Sequence, residues 1–99
     1  TAKSVVISGP DTVTVWAPIS TKHVVLTALS VSTNYAGTIA FYFDNGNDKF
    51  AEFLLGASSS ISPLIEAIES TVVGGRIFAR VGTSGTDGWR VNVTGFELG

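Results

Sequence analysis

Apolar and polar side chains alternate with a period of two along four stretches of the chain. Val13, Val15 and Ala17 alternate with Thr12, Thr14 and Trp16, and Ile39, Phe41 and Phe43 alternate with Thr38, Ala40 and Tyr42. Further on, Ile77, Ala79 and Val81 alternate with Arg76, Phe78 and Arg80, and Trp89, Val91 and Val93 with Arg90, Asn92 and Thr94. Successive side chains of a strand point to opposite faces, so each stretch predicts a strand with an inner and an outer side. Segments at Lys3 to Ser8, His23 to Ser32, Lys49 to Leu55 and Ser58 to Leu64 bring the expected number of strands to about eight. Turn-forming clusters cut the chain between them: Gly9-Pro10-Asp11, Pro18 to Thr21, Asn34 to Gly37, Asp44 to Asp48, Gly56 to Ser60, Gly74-Gly75 and Gly82 to Gly88. Short strands at such regular spacing predict an all-β fold, with two antiparallel sheets packed into a jelly-roll-like sandwich. One stretch reads two ways: Ser62-Pro63 resembles a helix start, and Leu64, Ile65 and Ile68 would share a helical face.

Composition agrees with strands and narrows the chemistry. Val, Ile, Thr and the aromatics make up 40 of the 99 residues, the types that suit a pleated, half-buried surface. A chain of 99 residues supports one core, so residues 1–99 are expected to form a single domain. With no cysteine, a disulfide framework and a thiolate metal site are excluded, and His23, as the one histidine, excludes an imidazole-rich site. Six basic and eight acidic residues leave a net charge of −2, which gives no basic footprint for nucleic acid. The longest apolar runs, such as Ile39 to Phe43, have strand length and fall far short of the ~18 residues of a membrane-spanning helix. Neither a nucleic-acid nor a membrane partner is therefore expected. Charged residues make up 14% of the chain, against about 25% in typical soluble domains, and mean hydropathy is +0.38. A surface this poor in charge is covered by Ser, Thr and Gly, or by another protein.

Candidate catalytic groups are sparse. Most carboxylates fall in turns, a sandwich of this size has little depth for a substrate cleft, and His23 lacks the Gly-x-Ser-x-Gly elbow of a hydrolase. Asp44-Asn45-Gly46-Asn47-Asp48 has the oxygen ligands of a calcium loop, but Gly46 stands where such a loop needs a ligand, and Asn-Gly between alternating runs signals a hairpin. Asn92-Val93-Thr94 matches a glycosylation sequon inside a predicted strand. No catalytic residue, metal or cofactor is expected, and a non-enzymatic binding or structural module is. The outer faces carry more information. With Ile77, Ala79 and Val81 inside, Arg76, Phe78 and Arg80 face outward, as do Arg90, Trp16 and Tyr42 by the same alternation. Arginine beside aromatics is the composition of an interface core, so these six residues are the expected partner surface. Outward rings also suit stacking on sugars, and an alternative carbohydrate-binding or adhesion module would use Tyr35, Trp16 and Tyr42.

The succession Lys3-Ser4-Val5-Val6-Ile7-Ser8, Thr38-Ile39-Ala40-Phe41-Tyr42-Phe43, Gly75-Arg76-Ile77-Phe78-Ala79-Arg80-Val81 and Val91-Asn92-Val93-Thr94-Gly95-Phe96-Glu97 resembles small tailed-phage virion proteins. These are cysteine-free β-sandwiches that decorate or cement the head shell. The resemblance spans nearly the whole chain as a pattern and carries no diagnostic motif, so no functional residue is transferred by it. It implies a protein of the virion's capsid surface without catalysis or cofactor. It also implies self-association, commonly as a homotrimer, and contact with the major capsid protein. Thr1-Ala2-Lys3 would then serve as an arm reaching a neighbour.

Overall fold

The computed structural model describes residues 1–7, 11–43, 48–63, 67–70, 73–82 and 88–99. Nine strands occur among them: β1 (Ala2–Ile7), β2 (Asp11–Trp16), β3 (His23–Thr33), β4 (Gly37–Phe43), β5 (Asp48–Leu55), β6 (Ser59–Ile61), β7 (Ile68–Glu69), β8 (Ile77–Val81) and β9 (Trp89–Leu98). One sheet runs β1-β9-β3-β6, with β7 also paired to β3, and the other runs β2-β8-β4-β5. All pairings are antiparallel. First pairs with last, second with second-last, third with β6 and β7, and fourth with fifth. This is one long hairpin wound into two sheets, the jelly roll. The strand expected near Ser58 to Leu64 is present as the short β6, and a further short strand, β7, follows it; the two meet opposite ends of β3. Of the stretch that also reads as a helix, Ile68–Glu69 is strand and Leu64 to Glu66 lie outside the described residues. The turns expected at Gly9-Pro10 and Asp44 to Asn47, with the calcium reading of the latter, and at 83–87 lie outside them too.

Between the sheets the expected inner residues meet. Ile39, Phe41, Ile77, Ala79, Val81, Trp89, Val91 and Val93 are all essentially inaccessible to water. Burial of a Val, Leu, Ile or Phe side chain stabilises by about 1.5–3 kcal/mol, so this inner layer drives the fold. Bulges on β3, β2 and β5 adjust the alternation. On β3, the register moves between Leu26 and Ala28, leaving Thr27 as an extra residue. That shift lets Val24 and Leu26 face the core before it and Leu29 and Val31 after it.

On β2, Thr14 pairs with Phe78 but Trp16 pairs with the adjacent Ile77, so Val15 is the extra residue. Both Val15 and Trp16 turn inward, 7% and 1% exposed, and Ala17 is exposed. The outward Trp16 expected from strict alternation is thus corrected: the bulge moves the indole to the other side of the sheet. Nor do the first residues form a free arm. Ala2 begins β1, and the Thr1 and Gly95 backbones exchange two hydrogen bonds, each 3.0 Å.

Candidate functional site

Strand register builds a surface on the outer side of the β2-β8-β4-β5 sheet. One row across the four strands reads Thr12, Arg80, Ala40, Glu52, and the next reads Thr14, Phe78, Tyr42, Lys49. Because β8 is an inner strand of this sheet, Phe78 and Arg80 stand in the middle of the face and not at its rim. The Arg80 guanidinium lies over the Tyr42 ring, 4.6 Å from its centroid, while Nε donates to Thr12 Oγ1 at 2.9 Å and a terminal nitrogen reaches the Tyr42 hydroxyl at 3.5 Å. Arg76, just before β8, places its guanidinium 5.7 Å from the centroid of Phe78. Such cation–π contacts at exposed sites contribute about 0.5–1 kcal/mol. They restrict the freedom of the long side chains.

Four of the six expected interface residues, Arg76, Phe78, Arg80 and Tyr42, therefore come together. The other two do not join them. Trp16 is in the core. Arg90 is exposed, but on β9, on the outer side of the opposite sheet beside Val6, its partner on β1. Alternation says that a residue faces outward; only pairing says from which sheet. Thr12, Thr14, Lys49 and Glu52 belong to the surface as well, and their signal is cross-strand register, which no local pattern contains.

No arginine forms an ion pair with a carboxylate among the described residues, whose two salt bridges are His23–Glu69 and Lys49–Glu52. The two rows and Arg76 together carry three cations, Lys49, Arg76 and Arg80, against the single carboxylate of Glu52. Neither a family model nor a curated protein matches this chain. Among the described residues no carboxylate pairs with either guanidinium fork, a planar group whose geometry matches a carboxylate.

The rings suited to sugar stacking do not share a face. Trp16 is buried, Tyr42 has one side covered by Arg80, and Tyr35 lies in the β3–β4 connection, 39% exposed. There Thr33 Oγ1 donates to the Tyr35 carbonyl and accepts from its N–H, closing a tight local turn. His23 opens the central strand β3, half-buried, with Nε2 2.5 Å from Glu69 Oε1 of β7.

Trp16 instead takes part in a clip between the two sheets. Its Nε1 donates to Glu97 Oε2 at 3.1 Å, and the Ile19 backbone N–H donates to Glu97 Oε1 at 2.9 Å. The Ile19 amide, then the indole, then the charges of Lys22 and Lys3 hold the Glu97 carboxyl below its ordinary value of 4.5. A group whose folded value is depressed stabilises the fold above its unfolded value, and that contribution disappears as pH falls through the folded one. Glu97→Gln should therefore lower the urea midpoint at pH 7, with the gap to wild type closing as pH drops below about 4.5. Parallel pH profiles for the two proteins would show that the clip carries no such linkage.

Proposed function

We propose that the chain is a non-enzymatic virion structural protein that decorates and stabilises a phage capsid through self-association and contact with the major capsid protein. The observation that carries this reading is the Arg76/Phe78/Arg80/Tyr42 surface, where guanidinium groups held on aromatic rings face outward without carboxylate partners among the described residues. The low charge of the chain and its resemblance to small tailed-phage virion proteins support it further. Across a two-fold axis this face would oppose arginine to arginine, so it suits an unlike surface that supplies carboxylates, such as a capsid shell. Many copies on a lattice make weak individual contacts sufficient.

Co-sedimentation with head shells of the encoding virus, stripped of this protein, tests the reading. Wild type should bind, and Arg76→Ala and Phe78→Ala should each weaken binding by about tenfold or more, as truncations near an interface centre do. Higher salt should weaken binding too, because the attraction is between charges. A wild-type protein that ignores the shells, or variants that bind them unchanged, would overturn it. A carbohydrate-binding reading has less support, since Arg80 covers the ring face a sugar would need. A glycan-array signal lost on Tyr42→Ala or Tyr35→Ala would favour it instead.

A further inference from the structure

Among the described residues, one long strand of the sandwich is open on one side. β5 spans eight residues and is hydrogen-bonded to β4 alone, its other edge meeting no strand among the described residues. The remaining edges differ. β6 and β7 are three and two residues long, and β1 and β2, six residues each, pack against one another. A free edge presents unpaired backbone donors and acceptors to any extended segment. Leu54 on this strand is 82% exposed, the most exposed large apolar side chain described.

What β5 accepts is set by its side chains. Lys49 pairs with Tyr42 and Ala51 with Phe41, so Phe50 is the extra residue of a bulge. The bulge places Lys49 and Glu52 on the same outer side although they are three residues apart, with Nζ and Oε1 3.6 Å from each other and both side chains about half exposed. Phe50 turns inward and stacks on Phe43 at 4.2 Å between centroids, with Ala51 and Phe53 also packed against the core. From Lys49 to Glu52 the outer side therefore reads cation, then anion, about the inward pair Phe50 and Ala51.

We propose that β5 pairs antiparallel with β5 of a second copy, about a two-fold axis between Phe50 and Ala51, continuing the β2-β8-β4-β5 sheet across both molecules. In that register Lys49 faces Glu52 of the second copy, and Glu52 faces its Lys49. Four charges then alternate in sign around the axis. Parallel pairing would set like against like, and a strand without this charge order would leave one ion unmatched. The bulge and Lys49, which discourage indiscriminate edge pairing, thereby select one partner. This contact gives self-association a surface of its own and does not rest on the arginine face: failure of shell binding would leave it standing.

Sedimentation-velocity analysis of the full chain over a concentration series is the test. Wild type should form a concentration-dependent dimer. Lys49→Glu and Glu52→Lys should each weaken it by about tenfold or more, because both cross-strand pairs become repulsive. An equimolar mixture of the two variants should restore dimers as heterodimers, resolved by native mass, and the double variant Lys49→Glu/Glu52→Lys should restore the homodimer. Restoration also shows that the single variants fold. A wild type that stays monomeric, single swaps that leave the dimer unchanged, or a mixture that fails to form heterodimers would overturn the proposal.

Discussion

Gly95→Ala is expected to destabilise the protein by about 3 kcal/mol or more, the upper range for forcing atoms into filled space, and Gly95→Val to abolish folding. A Cβ on Gly95 would sit 2.0 Å from the Val25 carbonyl oxygen, 3.0 Å from the Val25 carbonyl carbon and 3.1 Å from the Leu26 Cα. These are backbone atoms of β3, so no rotamer change relieves the clash. Gly95 lies opposite Leu26, beside the register shift that leaves Thr27 as the extra residue of β3. This is also the junction of the first sheet: β9 pairs with β3 over ten positions and with β1 on its other side, and Thr1 closes on the Gly95 backbone. Pushing β9 away from β3 there disturbs both ladders together. Gly82→Ala is the control, since a Cβ at Gly82 meets no atom of the described residues within 4 Å, and its cost should stay within about 0.5 kcal/mol. Urea unfolding followed by tryptophan fluorescence measures both. Equal midpoints for the two variants would show that the close approach at Gly95 is not a constraint.

The period-two pattern contains the inner layer of the jelly roll where strands run without interruption. β4, β8 and the first half of β9 bury the alternate residues that the pattern marks, because side-chain direction in a regular strand depends on sequence parity alone. Parity fails where the partner strand inserts a step. Nothing local to Thr14-Val15-Trp16 announces a bulge, since the extra residue is set by how β2 meets β8; yet it moves an entire indole from outside to inside. The same limit governs the surface. Arg76, Arg80 and Arg90 all face outward as the pattern says, but the winding assigns Arg90 to one sheet and the other two to the opposite one. Pairings in this fold join residues far apart in the chain, Ala2 with Thr94 for instance, and such register is a property of the assembled sheets. The sequence therefore describes faces, and tertiary pairing turns faces into a site.

Phe41→Ala should cost about 3–5 kcal/mol, the range for truncating a fully buried phenylalanine. Phe41 is completely inaccessible, and its neighbours in register on either side are Ala51 of β5 and Ala79 of β8. Two small residues flanking a large one let the ring fill the space across three strands. Its centroid lies 6.1 Å from that of Phe50 and 6.2 Å from that of Phe53, close enough for both aromatic contacts to be lost on truncation. With alanine at 41, three alanines in a row would leave a hole facing the other sheet, and backbones pinned by hydrogen bonds on both sides of β4 cannot collapse to close it. Phe78, one position along in register but on the outer side, gives the opposite expectation. It is half-buried, paired with Tyr42 and lying under Arg76, so Phe78→Ala should cost only about 1 kcal/mol of stability. Its main effect should fall on shell binding, the reverse of Phe41→Ala, which should leave any binding by the remaining folded fraction intact. Equal losses of stability for the two variants would mean that the inner and outer sides of the β2-β8-β4-β5 sheet are wrongly assigned, and the arginine surface with them.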